Sequence, residues 1–536
     1  MTRFSILGLI LISFLVYNHA IGQNHTDRFE SIDVVQYAFD IQLNDSSDRI
    51  EAAADIIFQN KKPLKKLVLD LTNIDSKGLG MTVESLQIDS QSAGFKHEND
   101  QLIINFKAEV VDTNNLHSCH IKYSGTPTDG LIISKNKYGD RTFFGDNWPD
   151  RAHNWLPTVD HPSDKAKVRF SVTAPSHYLV VANGAQDTII NLPNNYKKTV
   201  WKENIPISTK LMVIGAADFI VGNDTMWNGI PVNAWVFREN QEKGLDNYKY
   251  GTKALEYYSE LIGPYSYEKL AHVQSKTRYG GMENASCIFY SENSATSDQS
   301  QERLFAHEVA HQWFGDCVTE QNWHHVWLSE GFATYLTHVY NQHFYGEQVF
   351  RQGLYNDREL VIRFFQRYPA PIIDTLQTDY SRLLNANSYQ KASWFLHMLR
   401  YKLGDDVFFS GFRKYYADYR NSTALTSDFR KTMEEVSGEN LKNFFDQWLR
   451  QAGHPVLKWN WKQNPNSEIT LTVEQKQADA FFNFPLEVAV SYKDESHETF
   501  RIDIDQKTSS VILPTQKQVQ KIELDPGLNL LYEEVN

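Results

Sequence analysis

Along residues 37–43, YAFDIQL, the apolar side chains Tyr37, Phe39, Ile41 and Leu43 fall on every second position. A strand turns successive side chains to opposite faces, so this alternation predicts a half-buried strand. Similar short runs recur at LIINF (102–106), VRFSVTA (168–174) and HYLVVANG (177–184), separated by Asn, Asp, Ser and Gly turn residues. Residues 23–222 therefore read as an all-β domain. From residue 223 the period changes. In NLKNFFDQWLRQAGHP the apolar residues Leu441, Phe444, Phe445, Trp448 and Leu449 sit at helical spacing, and Gly453 and Pro455 end the run. Residues 223–453 read as mainly helical, with a few strands at the beginning. Alternation returns with Ile469, Leu471 and Val473, then Leu486, Val488, Val490 and Tyr492, which makes residues 454–536 a small C-terminal β-sandwich. The pattern predicts a multidomain α+β chain in the order β, α, β.

The first residues follow another rule. Arg3 precedes an apolar run from Phe4 to Tyr17, and the small residues Ala20 and Gly22 follow. This is the pattern of a secretory signal peptide over residues 1–22, and it predicts export to a periplasm or the medium. The run is too short to span a bilayer comfortably, and no later segment reaches about 18 unbroken apolar residues, so no integral membrane segment is expected after cleavage. The apolar run is not followed by a cysteine that a lipid anchor would need.

Composition narrows the functional classes. The 536 residues carry a net charge of −13, which speaks against nucleic-acid binding, since that needs a positive footprint. An aromatic content of 13% fits well-packed domains, and the length suggests roughly two to four of them. Three scattered cysteines, Cys119, Cys287 and Cys317, form no disulfide scaffold and read as buried free thiols. Nothing in the sequence points to a particular oligomeric state.

The chemistry candidates lie in the middle block. In AHEVAHQWFGD (306–316), His307 and His311 are four apart, with Leu304 and Glu308 on the same helical spacing. Residues four apart share a helix face, so both imidazoles can reach one ion. Ser297 or Asp298 would cap this helix and Gly315 would end it. Zinc suits imidazole nitrogen, and a catalytic site keeps three protein ligands plus an exchangeable water. Glu308, next to the first histidine, is then the candidate general base. Glu330 in WLSEGFATYL, with 18 residues between it and His311, offers a carboxylate as third ligand from a second helical segment. Upstream, RYGGMENASC (278–287) sets paired glycines, which allow close backbone approach, just before Glu283. His324 and His325 read as a solvated loop pair.

GGMEN (280–284), HEVAH (307–311) and SEGFATY (329–335) together resemble the signatures of the zinc aminopeptidases of peptidase family M1, the gluzincins that include aminopeptidase N, aminopeptidase B and the leukotriene hydrolase. NWLPTVDHPSDKAKVRFSV and PISTKLMVIGAADF are similar to the family's N-terminal β-domain. The resemblance covers residues from about 30 to 455 and implies a thermolysin-like catalytic domain at 223–453. It implies one zinc ion per chain on His307, His311 and Glu330, with Glu308 activating water. Glu283 would hold the free α-ammonium group of a peptide substrate, a carboxylate pairing with a cation at a fixed distance from the scissile bond. Gly280, Gly281, Met282 and Asn284 would complete the substrate-binding strand. NSYQKASWFLHML resembles the family's YEKG stretch and nominates Tyr389, 59 positions after Glu330, as oxyanion donor. The implied partners are peptides with a free N-terminus, and the implied reaction is removal of the first residue. A thermolysin-like endopeptidase and a non-catalytic peptide-binding member of the family are the alternatives.

The sequence departs from the family in two places. Where many members carry a Gln or Glu that also contacts the substrate amine, Trp148 stands here, with Asp146 or Asn147 as conceivable stand-ins. The chain also ends soon after its β-block, a short form without the large C-terminal helical domain of many relatives. That implies a more open cleft.

Overall fold

The computed structural model describes residues 29–296, 298–478 and 480–535; the signal peptide expected at 1–22 lies outside them. The chain forms two compact units. One comprises residues up to 256, 265–322 and 420–423, and the other comprises 257–264, 323–419 and 424–536.

The first unit is built largely on an eight-stranded sheet whose inner strand, Ile32–Gln42, carries the YAFDIQL alternation. Tyr37, Phe39 and Ile41 are buried, because one face of a pleated strand packs inward. This strand pairs in parallel with Lys165–Pro175, setting Phe39 opposite Phe170, and antiparallel with Ile50–Asn60. A four-stranded sheet (Leu179–Ala182, Ile214–Ala217, Arg141–Gly145, Leu131–Lys135) and a three-stranded sheet (Leu64–Asp70, Gln101–Val110, Phe95–Glu98) complete the N-terminal β region.

The same unit holds a mixed five-stranded sheet, ordered Phe219–Trp227, Ile230–Phe237, Leu270–Ser275, Cys287–Ser291 and Gly281–Met282. The connection between its second and third strands, which run parallel, contains helix α1 (Gln241–Leu261). Gly251 on α1 meets the His272 ring so closely that an added Cβ would lie 2.1 Å from it. Phe144 from the β region packs edge-on against Phe289 of this sheet, with ring centroids 5.5 Å apart. Helix α2 (Glu302–His311) follows the sheet.

The second unit contains helices α3 (Trp327–Tyr345), α4 (Glu347–Phe365), α5 (Ala392–Leu403), α6 (Asp405–Tyr419) and α7 (Thr426–Ser437). Their core is aromatic: Phe332 stacks on Phe412 at 4.9 Å and meets Phe429 edge-on at 5.0 Å, while Phe395 meets Phe445 at 4.9 Å. Gly331 lets α3 approach α5, since a Cβ there would lie 2.5 Å from that of Ala392. The segment expected to be one helix from Leu441 is a short α turn, Lys442–Phe445, continued as a π turn, Asp446–Arg450. Beyond it lie a four-stranded and a three-stranded sheet. In the latter's central strand, Phe484–Tyr492, every second residue is buried, as the alternation predicts. The β, helical, β order read from the pattern is the order observed.

Candidate active site

Helix α2 presents the histidines because its other faces are anchored. Phe305, Ala306, Val309 and Ala310 are fully buried and hold the helix in the core of the first unit. Asp298 accepts the Ser300 N–H at 3.1 Å and so opens a 3-10 turn over Gln299–Gln301, which runs into α2. The cap thus acts on this turn and not on the α-helix itself, and Ser297 lies outside the described residues. The helix ends at His311, four residues before Gly315, whose φ of 123° suits the later turn where its N–H meets the Val318 carbonyl.

The Nε2 atoms of His307 and His311 face each other at 3.1 Å. Nδ1 of His311 lies 3.3 Å from the Phe314 carbonyl. A carbonyl only accepts, so this contact places the proton on Nδ1 and leaves the Nε2 lone pair for a cation. Glu330 stands in the first turn of α3 and is buried. Two imidazole nitrogens facing each other from one helix are donors that suit zinc.

The acceptor atoms of Glu283, Glu308 and His311 lie within 4.8 Å of one another. Gly281 abuts the Glu308 carboxylate so closely that an added Cβ would lie 2.3 Å from Oε1. Gly281–Met282 is the edge strand of its sheet, paired on one side with Cys287–Ser291. Glu283 is 4% exposed, and its Oε1 has no hydrogen-bond partner among the described residues. A buried carboxylate oxygen left without a donor is costly unless something supplies one. Asn284 is wholly buried, while Gly280 is exposed.

The turn after α2 is a polar network that the sequence reading did not single out. Gln312 donates to the Glu283 carbonyl at 2.6 Å and to Asp316 Oδ2 at 2.7 Å, and accepts the Ser286 N–H at 2.8 Å. Lys165 Nζ donates to the carbonyls of Asp316, Cys317 and Ser422; burial pushes it down to about 8. Lys210 donates to Glu320 Oε1 at 2.5 Å, with both side chains buried. Burial works against the Lys210 charge, but Glu320, and after it Glu283 and Asp316, outweigh it and hold its pKa above the ordinary lysine value. Asp316 is pushed well up by burial first and by Glu283 next. Polar residues in the apolar setting of QWFGD were the available signal.

Tyr389 sits on a π turn, Asn387–Lys391, that leads into α5. The stand-ins considered for Trp148 are committed elsewhere. Asp146 takes the Arg151 guanidinium, the Thr277 hydroxyl and the Arg278 N–H. Asn147 donates to the carbonyls of Thr209 and Met212 and accepts from Trp155 Nε1. Trp148 itself is buried. The histidine pair is not a solvated loop either: His325 Nδ1 lies 2.7 Å from the Thr426 hydroxyl, and His324 Nε2 lies 3.1 Å from the Gln377 carbonyl. Thr426 also takes Trp327 Nε1, so a side chain from a distant helix draws His325 inward. All three cysteines are buried thiols outside any disulfide among the described residues.

Known proteins share part of the sequence, and solved ones share the fold. The chain is 31% identical to aminopeptidase A of Gloydius brevicauda over 343 residues, 60% of this chain and 35% of that protein. It is 23% identical to aminopeptidase 2 of Candida albicans over 86% of this chain and 51% of that protein. The chain thus spans about a third to a half of the length of these curated relatives. The M1 zinc metallopeptidase of Deinococcus radiodurans superimposes with a TM-score of 0.68 at 22% identity, over 79% of this chain and 95% of that one. Residues 34–211 match the peptidase M1 N-terminal domain and residues 247–448 the peptidase family M1 domain, which between them take in the β region and every motif of the site. The chain belongs to peptidase family M1.

Proposed function

We propose that this chain is a zinc-dependent aminopeptidase that removes N-terminal residues from peptides. The observation that carries the reading is Glu283, a buried carboxylate with an unpartnered oxygen, grouped with Glu308 and His311. An endopeptidase has no use for a fixed anion one residue from the scissile bond, whereas an aminopeptidase needs one for the α-ammonium group. Relatives bearing aminopeptidase names support it.

In this reading His307, His311 and Glu330 hold the zinc ion. When bound, zinc supplies a Lewis acid that polarises the scissile carbonyl and lowers the pKa of water. Glu308 takes a proton from the attacking water and passes it to the leaving amine. Glu283 pairs with the substrate ammonium and fixes the distance to the first peptide bond. The edge strand Gly281–Met282 lies along the substrate backbone, and the Tyr389 phenol donates to the oxygen on which negative charge develops. Export fits the N-terminal apolar run, and no helix among the described residues is long and apolar enough to cross a membrane.

Replacing Glu308 with Gln keeps size and burial but removes the base. The expected outcome is zinc retained at the wild-type level, with kcat lowered by roughly 10²–10⁴. Wild-type turnover in the metal-loaded variant would refute the role.

A further inference from the structure

We propose that Gln312 is a positioning residue that sets the place of the amine-anchoring loop relative to the histidine helix, and so governs the preference for a free N-terminus. The proposal rests on the reading of Glu283 given above. Gln312 is 1% exposed and spends its whole carboxamide on four partners. Nε2 donates to the Glu283 carbonyl (2.6 Å) and to Asp316 Oδ2 (2.7 Å), and Oε1 accepts the Ser286 N–H (2.8 Å). Oε1 also lies 3.3 Å from the Tyr265 hydroxyl, whose hydrogen the Lys269 carbonyl shares at 2.8 Å. One neutral amide thus grips both ends of the segment Glu283–Ser286.

Its orientation is fixed, because flipping the amide would set N–H against N–H at Ser286 and oxygen against oxygen at Glu283. Glutamate would fit the space but not the chemistry: an acceptor would then face the Glu283 carbonyl, which can only accept. The other side of the segment is tied down as well. Ser286 adopts a left-handed backbone (φ 61°), which a non-glycine residue holds only when its surroundings compel it. Its hydroxyl accepts the Gly184 N–H and donates to Glu203, and its carbonyl accepts from Lys269 Nζ at 3.0 Å. Between these fixed points Glu283 Oε1 has no protein partner among the described residues, so its backbone is what aims it. Gln312 follows His311 directly, whereas the His311 ring is oriented through its own contact with the Phe314 carbonyl. Loosening Gln312 therefore displaces Glu283 while leaving the ligand histidines in place.

The test compares the zinc-loaded full chain with its Gln312→Glu and Gln312→Asn variants. Metal content, kcat and KM are measured on an aminoacyl amide and on its des-amino analogue, and amide hydrogen exchange is followed over residues 281–287. Retained zinc is expected, with a KM for the free-amine substrate raised roughly tenfold or more. The des-amino substrate should keep its kcat/KM, and exchange at Ser286 should accelerate. Equal losses on both substrates, an unchanged ratio, or unchanged exchange would overturn the proposal. Should the wild type itself fail to discriminate, the reading of Glu283 falls, and exchange in the Asn variant decides the clamp alone: lost protection at 283–287 keeps it and unchanged protection removes it. Gln312→Asn keeps the amide and shortens its reach, so it serves if the Glu variant does not fold.

Discussion

At the scale of single residues, Gly281 and Glu308 form a pair that neither motif reveals alone. The paired glycines in RYGGMENASC suggested room for a ligand to approach. The space beside Gly281 is in fact filled by the Glu308 carboxylate, which a Cβ would meet at 2.3 Å. Nothing that close is tolerated, so Gly281→Ala must push the base aside. Since a misplacement of about 1 Å can cost roughly a hundredfold, kcat should fall by that order while bound zinc and melting temperature stay near wild type. Steady-state kinetics with metal analysis checks this, and an unchanged kcat would show that Glu308 is not where the chemistry happens. Glu283 was nominated through the resemblance of GGMEN to the family signature, because a carboxylate beside paired glycines reads equally well as a turn with an exposed acid. Gln312 carried only the faint signal of a polar residue in QWFGD, because a lone glutamine after a metal-binding pair looks like any polar helix end until its partners are known.

At the scale of elements, the π turn Asn387–Lys391 stores a pH dependence. Burial pushes Lys391 down to about 7, and among the described residues its ammonium finds only the Gln451 carbonyl at 3.5 Å. His454, itself pushed down to about 4 by burial first and Lys391 next, offers no compensating charge. A lysine whose folded pKa lies below its unfolded value contributes full stability above about pH 10.5 and loses it as pH falls towards 7. The loss is on the order of 5 kcal/mol. Lys391→Met should therefore raise the melting temperature most at pH 7 and lose that advantage as pH approaches 10.5. A constant offset across pH, in paired thermal melts, would contradict the assignment. Helix α2 was legible from spacing alone, but its ends were not. Asp298 caps a 3-10 turn instead, and Gly315 serves a later turn, because tertiary bonds to Lys165 and Gln312 decide where the chain leaves the helix.

At the scale of the whole molecule, alternation and helical spacing gave the order of β, helical and β regions, since both report which faces are buried. They could not give partners across the sheets, such as the parallel pairing of Ile32–Gln42 with Lys165–Pro175, or the inward turn of His325 onto Thr426. Those depend on contacts more than a hundred residues apart. The site was legible to the extent that its residues sit in motifs, and illegible where single buried polar groups support them. The account stands most directly on selectivity for a free amine. The deciding measurement is hydrolysis of one aminoacyl amide with its amine free and with it acetylated, each with and without a zinc chelator. The account predicts turnover of the free-amine substrate alone, abolished by the chelator and restored by zinc. Comparable cleavage of the acetylated form, or activity that survives chelation, would contradict it.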